Sequence, residues 1–424
     1  MRSLRSVTRE LPAGTDPLDG LAAGSFVWSH EGTALVGTGV AARVAVATGP
    51  GRLEKAAGEV ATLLGAIEVD DPLGLAGTGP LAVGALAFHD GQESELIVPA
   101  RVVGRDADGR AWVTEVGPAP ASARGAVVGP ARGATPTQVR GATPGRPPGL
   151  EPTSFAVESA GGRMAWTAGV RGALDAIAAG RIEKVVLARR VTVWGDQPFA
   201  AAAVVDRLRR SHPSCFTFAT PAGFVGASPE LLLRRRGRWA WSRPMAGTVE
   251  RGGGRAEDRR RESALRSSPK ERDEHRLVVE DVKARLERAC PEVFVKRPEV
   301  VALSSVTHLA TSVTARLGTP APTALDLVAL LHPTPAVGGA PREAALAALA
   351  ALEPFDRGLY AGPVGWVDRR GDGDWAVALR CAQLDGRRAT LWAGAGIVTG
   401  SSPEAEWAET QAKLEPMLRA LVRV

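Results

Sequence analysis

Short segments of alternating hydrophobic and polar residues, bounded by glycine, fill the first quarter of the chain. They occupy residues 25–46, 79–90 and 95–116. Alternation over four to eight residues between turn residues is typical of strands and hairpins. Residues 53–65, LEKAAGEVATLLG, interrupt them with a helical period. We therefore predict a sheet-forming part over residues 1–115 that contains one intervening helix.

The composition changes over residues 116–150. This stretch consists largely of proline, glycine, alanine and arginine, and it contains almost no large apolar side chain. Such a segment cannot bury enough surface to order itself. The sequence therefore predicts a mobile loop or linker there.

Strands and helices both follow over residues 151–424, but without a strict strand–helix alternation. Helical periods occupy 163–182, 198–212, 256–289 with a break at Pro269, 323–331, 340–352 and 403–421, and strand patterns lie between them, including one continuous strand over 374–386. Runs of strands interrupted by helices indicate an α+β protein. The longest apolar runs are about eight residues, too short to cross a bilayer.

The chain has the composition of a globular protein outside a membrane. Its 424 residues are 45% hydrophobic and 23% charged, and no apolar run follows the arginines near the start. Cys215, Cys290 and Cys381 are isolated and odd in number, which argues against disulfides and against a cysteine metal site. We expect a cytoplasmic protein whose cysteines serve packing.

A net charge of +6 permits three kinds of partner: nucleic acid, an acidic membrane surface or a small anionic substrate. The densest basic runs are LLLRRRGR at 231–238 and DRRRES at 258–263. Neither carries the interleaved aromatic residues of a single-strand binding groove. The sequence therefore predicts neither a nucleic-acid nor a membrane partner.

Three glutamates crowd the start of the last helix. Ser402 and Pro403 form a helix start, with a capping side chain followed by proline at the first helical position. Glu406, Glu409 and Lys413 then share one stripe of the helix. The stretch SSPKERDEH places Glu271 and Glu274 in the same way after Pro269. Each helix thus offers a pair of carboxylates one turn apart.

Two interpretations of these pairs are open from spacing alone. Acidic residues are favoured at a helix N-terminus by the macrodipole, so both pairs could be solvated surface. Alternatively, the two helices converge and their carboxylates hold Mg²⁺, which binds a few carboxylates together with an anionic substrate.

Many ordered motifs carry a resemblance to a known family. They are IEKVVLARR, GASPELLLRRRG, SRPMAGTVERGGG, SSPKERDEHRLVVEDV, VTHLATSV, LHPTPAVGGAPREAA, LEPFDRGLYAGPVGWVD, VALRCAQL and AGAGIVTGSSPEAEW. In content and order they resemble the chorismate-utilising enzymes, most closely isochorismate synthase. The resemblance implies one chorismate-binding domain over 1–424, with two packed, mostly antiparallel sheets, helices outside and a cleft between them. Residues 151–424 would be its catalytic part.

The resemblance also implies roles for the acids and for two catalytic groups. Glu274 and Glu409 would bind Mg²⁺, with Glu271 and Glu406 acting through water, and the ion would neutralise the ring carboxylate of chorismate. Lys184 would be the general base that activates water, and Glu230 the acid that protonates the departing hydroxyl. Both must be shifted toward their neutral forms by burial. Without the family resemblance, Lys184 is a lysine before a strand, and a surface charge is the simpler interpretation.

The remaining implied site residues would contact substrate. Arg380, placed on the strand VALRCAQL, suits a bidentate contact with a carboxylate, although a structural ion pair would explain it equally. Tyr360, the sole tyrosine, fits either the site wall or the core. The substrate-binding residues implied by motif are Gly247, Thr248, His308, Ala336, Tyr360, Arg380, Gly394, Gly396 and Lys413.

Three positions separate the members of the family. A lysine at 184 and an alanine at 246, within RPMAGT, resemble the water-using members, and Ala336 within HPTPAVGG resembles isochorismate synthase. Its product feeds menaquinone or siderophore synthesis. A salicylate synthase, which also eliminates pyruvate, is the alternative, and a catalytically inactive basic binding module is the third hypothesis. We expect a monomer without a glutamine amidotransferase partner.

Overall fold

The computed structural model describes residues 3–119, 151–252, 254–303 and 306–422. Residues 120–150 of the predicted linker therefore lie outside the described residues. The elements before them are strands β1 (Leu4–Leu11), β2 (Phe26–His30), β3 (Thr33–Thr38), β4 (Ala42–Val46), helix α1 (Arg52–Gly65), β5 (Glu68–Asp70), β6 (Leu81–Ala85), β7 (Ser94–Val98), β8 (Arg101–Arg105) and β9 (Ala111–Pro118). Strand β9 continues past the predicted boundary at residue 115, because it pairs along its whole length with β1.

The predicted mixture of strands and helices continues after residue 150. The elements are β10 (Phe155–Ser159), α2 (Gly162–Ala178), β11 (Lys184–Gly195), α3 (Ala201–Ser211), β12 (Phe216–Ala219), β13 (Phe224–Ser228), β14 (Leu231–Arg236), β15 (Trp239–Arg243), β16 (Met245–Glu250), α4 (Arg255–Ser267), α5 (Pro269–Leu286), β17 (Glu292–Val295), β18 (Glu299–Ala302), β19 (Val306–Ala310), β20 (Val313–Arg316), α6 (Ala324–Leu331), β21 (Gly339–Ala340), α7 (Arg342–Leu352), β22 (Pro363–Asp368), β23 (Gly373–Val377), β24 (Cys381–Asp385), β25 (Arg388–Ile397) and α8 (Pro403–Val422).

The described strands form two large sheets and one small one. The thirteen-stranded sheet runs β10-β11-β25-β24-β13-β12-β2-β3-β8-β9-β1-β5 with β21 attached to β11, and the nine-stranded sheet runs β17-β20-β15-β14-β23-β22-β6-β7-β4. A three-stranded sheet, β16-β19-β18, is additional to the prediction. The parallel pair β1–β5 is the exception among otherwise antiparallel pairings of the described strands. The predicted α+β class with two mostly antiparallel sheets is confirmed.

The two large sheets share one hydrophobic core. Trp28 from the thirteen-stranded sheet and Trp375 from the nine-stranded sheet are both almost fully buried in the same cluster. A second cluster packs α3 and α8 onto the thirteen-stranded sheet through Leu208, Leu391 and Met417. Both large sheets combine strands from either side of residues 120–150, so the sheets are built from both parts of the chain.

The strand predicted over residues 374–386 is wrong as one element. Strand β23 pairs with β14 and β22 in the nine-stranded sheet, whereas β24 pairs with β13 and β25 in the thirteen-stranded sheet. The chain crosses between the sheets at 378–380, where Arg380 has a φ of 48°. An arginine in the left-handed region is uncommon, so this crossing is a specific feature of the fold. Arg380 lies at the crossing and not on a strand.

Two smaller expectations can be compared with the described residues. Cys215, Cys290 and Cys381 are buried and form no disulfide, in agreement with a packing role. None of the described helices combines the length and apolar character needed to cross a lipid bilayer.

Candidate active site

A pocket lies between the thirteen-stranded sheet and the small sheet, beside the connections that lead to and from the nine-stranded sheet. Predicted residues from distant parts of the chain line it together, namely Glu230, Gly247, Thr248, Glu274, His308, Ala336, Tyr360, Arg380, Gly394, Gly396 and Lys413. Four further predicted residues do not line the pocket, namely Lys184, Glu271, Glu406 and Glu409. Each of them lies in a group of acidic and lysine side chains beside the pocket. The geometry therefore gathers the predicted site in one place.

Lys184 begins strand β11 and is fully buried, so its interpretation as a surface charge is wrong. Its Nζ lies 2.9 Å from Glu274 Oε1 on α5, which does line the pocket. Strand β25 runs beside β11, and Gly396 on β25 leaves the room for this contact. A Cβ at Gly396 would lie 2.4 Å from Glu274 Oε1, closer than any real side-chain contact.

Glu230 lies in the turn between β13 and β14. Its backbone N–H donates to Ser228 Oγ at 3.2 Å, which fixes the turn. Burial raises the pKa of Glu230 to about 7, although a backbone hydrogen bond from Met245 and the charges of Lys184 and Lys413 lower it. A large fraction of this carboxyl is therefore neutral near pH 7, as a general acid requires.

Helices α5 and α8 bring their first turns together. Ser268 caps α5 by accepting from Glu271 N at 3.3 Å. Lys270 Nζ then lies 3.2 Å from Glu406 Oε1 on α8 and 3.8 Å from Glu271 Oε1. Glu406 is only 3% exposed, so a solvated surface does not explain it. The structure thus confirms the interpretation in which the two helices converge.

The carboxylates of this cluster influence one another. Burial raises the pKa of Glu409 to about 7, and the charges of Glu406 and Glu274 raise it further against the opposing effect of Lys413. Burial also acts to raise the pKa of Glu274, but the charge of Lys184, with its hydrogen bond and two further lysines, outweighs burial and lowers it. Acids placed this close favour a cation between them.

The carboxylate oxygens of these glutamates are the kind of ligand that a hard divalent ion prefers. Mg²⁺ prefers oxygen ligands and uses one or two carboxylates with substrate oxygens. Among the described residues, no three histidine, cysteine or acidic side chains are arranged to hold a metal. Instead, each carboxylate faces a lysine: Glu274 faces Lys184, Glu409 faces Lys413 at 2.6 Å, and Glu406 and Glu271 both face Lys270.

Arg380 is a buried cation that forms no ion pair within the described residues. It is 6% exposed, and its Nη1 atom is buried without a hydrogen-bond partner. Its Nη2 lies 3.3 Å from His308 Nε2. The interpretation of Arg380 as a structural ion pair is therefore wrong. A buried guanidinium with a free donor facing a pocket is suited to an anion.

His308 is held neutral beside Arg380. Burial lowers its pKa well below the usual value, and the charge of Arg380 lowers it further. His308 Nδ1 lies 3.2 Å from the carbonyl of Gly247 and 3.1 Å from Thr248 Oγ1. A neutral ring that donates from Nδ1 to the carbonyl leaves Nε2 to accept from Arg380. His308 thereby orients the guanidinium.

Backbone at two glycines approaches the pocket closely. Gly247 has a φ of 75°, and a Cβ there would lie 3.1 Å from Glu271 Oε2. The neighbouring Thr248 N–H donates to the same oxygen at 3.0 Å. The carbonyl of Gly394 accepts from Lys413 Nζ at 3.0 Å. These contacts tie the small sheet and β25 to the carboxylate cluster.

Tyr360 belongs to both the wall and the core. It is 4% exposed and stacks on Trp392 at 6.0 Å between ring centroids with an interplanar angle of 11°. Trp392 was missed by sequence reasoning, although its place two residues before Gly394 in WAGAG was a usable signal. The other missed wall residues are Val186, Pro229, Met245, Val337, Leu379 and Ala393, while Ala246, which the sequence singled out as separating family members, also lines the pocket.

Comparison with known proteins agrees with this geometry. The family model described as "Chorismate binding enzyme" matches residues 3–422. Isochorismate synthase DhbC of Bacillus subtilis is 40% identical over 264 residues, which is 60% of this chain and 66% of that protein. Isochorismate synthase EntC of Escherichia coli is 40% identical over 243 residues, 56% of this chain and 62% of that protein. The matched stretch thus spans slightly less than two thirds of either relative.

A solved structure is similar over nearly its whole length. The menaquinone-specific isochorismate synthase MenF of Escherichia coli superposes with a TM-score of 0.80 at 27% sequence identity, covering 99% of this chain and 95% of that one. Because 99% of this chain is covered, the agreement includes the N-terminal strands.

Proposed function

Because this chain belongs to the family of chorismate-binding enzymes, we propose that it is an isochorismate synthase, an isomerase that converts chorismate to isochorismate. One observation carries the proposal. A buried glutamic acid with a pKa of about 7, Glu230, lines the same pocket as Glu274, which contacts Lys184, and as Arg380, whose guanidinium forms no ion pair within the described residues.

The reaction adds water at C2 of the ring and expels the hydroxyl at C4. Lys184 takes a proton from the water, and Glu230 gives one to the departing hydroxyl, so no net proton is consumed. A base must be neutral, so Lys184 would have to leave Glu274 and give its extra proton to solvent before it can act. Removing either group should cost about 10²–10⁴-fold in rate.

The other residues bind and orient the substrate. Arg380 would hold a substrate carboxylate through its free donor, with His308 keeping the guanidinium in place. The Tyr360–Trp392 pair would exclude water from one side of the ring. Gly247, Thr248, Ala336, Gly394, Gly396 and Lys413 would complete the walls.

The carboxylate cluster would hold Mg²⁺. Glu274 and Glu409 would be direct ligands, and Glu271 and Glu406 would act through water. When bound, the ion supplies charge neutralisation for the ring carboxylate of the substrate. We further propose that the protein is a cytoplasmic monomer and that residues 1–424 form one chorismate-binding domain without an amidotransferase partner.

Product analysis tests the function. Protein freed of metal with EDTA is incubated with chorismate, with and without added MgCl₂, and the products are separated by liquid chromatography. The expected result is isochorismate only when Mg²⁺ is present. Salicylate and pyruvate in equal amounts would identify a salicylate synthase. No turnover, together with salt-sensitive retention on heparin, would identify a basic binding module.

A further inference from the structure

Lys270 stands where the local physics disfavours a cation. It is the second residue of α5, directly after Pro269, and the positive end of the helix macrodipole lies there. Basic residues are normally placed in the last turn, as Lys283 and Arg285 are in the same helix. A residue that breaks a local rule is expected to be compensated by a tertiary contact.

The compensating contact is the carboxylate cluster. Lys270 Nζ lies 3.2 Å from Glu406 Oε1 and 3.8 Å from Glu271 Oε1. It is thus the cation that links the first turns of α5 and α8.

The Lys270 side chain can move away from the carboxylates more easily than the side chains of the two other lysines, Lys184 and Lys413. The Lys184 side chain is fully buried, whereas that of Lys270 is 35% exposed. Lys413 is also anchored by a hydrogen bond to the carbonyl of Gly394. A flexible four-carbon stem lets the Lys270 ammonium swing into water without opening the core.

We propose that Lys270 is a built-in counter-ion, which occupies the carboxylate cluster when no metal is bound and competes with the divalent cation for it. The inference rests on the proposed function, because it takes the cluster as the metal site. Lys270 therefore stabilises the metal-free protein and weakens metal binding. A residue that merely positioned the ligands would have the opposite effect on affinity.

This competition is measured by isothermal titration calorimetry, in which MgCl₂ alone is added to metal-free protein at fixed pH and low ionic strength. Lys270→Gln should bind Mg²⁺ more tightly, by about tenfold for the loss of one nearby positive charge. Lys283→Gln is the matched control, because Lys283 is on the same helix in an exposed pair with Glu287. Its affinity should equal that of the wild type. Unchanged or weaker binding by Lys270→Gln overturns the proposal.

Thermal unfolding gives a readout that does not depend on activity. Without metal, Lys270→Gln should melt at a lower temperature than the wild type, and saturating Mg²⁺ should remove the difference. Lys270→Arg keeps the charge and should resemble the wild type in both measurements, which keeps the test available should the glutamine variant fail to fold. A Lys270→Arg variant that binds Mg²⁺ as Lys270→Gln does would contradict the charge argument.

A double-mutant cycle locates the competition at Glu406. In a Glu406→Gln background, Lys270→Gln should change the Mg²⁺ affinity by much less than in the wild type, because its partner has been removed. Additive effects would place the lysine's influence elsewhere and overturn the assignment. Wild-type protein that neither binds Mg²⁺ nor converts chorismate would instead refute the proposed function, so the two failures can be told apart.

Discussion

Lys184 Nζ lies 2.9 Å from Glu274 Oε1, and this contact joins the proposed general base to a proposed metal ligand. The lysine begins a strand of the thirteen-stranded sheet and the glutamate belongs to helix α5, so the contact joins this sheet to that helix. A charge in the interior is costly unless it is paired. This contact pairs two buried charges with each other.

Removing this lysine should abolish catalysis. We expect Lys184→Ala to lower turnover at least about 100-fold, the usual contribution of a general base. Because Glu274 is then left without this partner, the variant should also melt at a lower temperature. Turnover is measured by product chromatography, and circular dichroism confirms that the variant is folded. A folded variant with near-normal turnover would remove Lys184 from the mechanism.

Activity should fall as pH rises through the pKa of Glu230. Burial raises this pKa to about 7, and the acid must be protonated to act. We therefore expect kcat/KM to decline above pH 7 by about tenfold per pH unit. Glu230→Gln should lose at least about 100-fold in turnover. A wild-type profile that stays flat from pH 6 to 9 would contradict the assignment.

The same shift affects stability. The pKa of Glu230 is raised from its ordinary value of 4.5, so its contribution to stability is complete below about pH 4.5 and is lost as pH rises through about 7. Glutamine remains neutral throughout. The free energy of unfolding of Glu230→Gln, taken relative to that of the wild type, should therefore be higher at pH 8 than at pH 5. Denaturant unfolding at both pH values measures this difference.

Arg380 should matter for binding more than for folding. We expect Arg380→Met to raise KM for chorismate at least about tenfold, because a charged hydrogen bond to the substrate is lost. Its buried charge forms no ion pair within the described residues, so the melting temperature of the metal-free variant should not fall. Arg388→Met is the control, since Arg388 is an exposed arginine paired with Asp385. Equal KM values for the two variants would argue against an anion site.

Glu409 should be needed for the metal. Glu409→Gln removes one carboxylate of the cluster and should weaken Mg²⁺ binding by about tenfold or more. Glu415→Gln is the matched control, because Glu415 lies on the same helix in an exposed pair with Arg419. Calorimetric titration with MgCl₂ compares the two. An unchanged titration of Glu409→Gln would exclude it as a ligand.

Gly396 should tolerate no side chain. A Cβ there would lie 2.4 Å from Glu274 Oε1, so Gly396→Ala should displace that carboxylate and weaken both Mg²⁺ binding and turnover. Gly58→Ala is the control, because nothing lies within 4 Å of its Cβ and alanine favours helix α1. A Gly396→Ala protein with wild-type Mg²⁺ affinity would show that Glu274 can move without loss.

The sequence by itself determined most of the elements and the composition of the site. The starts of α5 and α8 were readable because proline and a capping serine act within one turn. The order of motifs indicated the family, and through it the residues that line the pocket. These features depend on neighbours along the chain, and so one sequence is enough to find them.

Tertiary structure decided which of these pieces meet. Alternation reports that residues 374–386 are extended, but not that β23 and β24 belong to different sheets, which places Arg380 at the crossing with a φ of 48°. Likewise, Lys184 reads as a surface charge until β25 and α5 enclose it. Burial and ion pairing arise from contacts between residues far apart in sequence, and a local pattern carries no record of the partner surface.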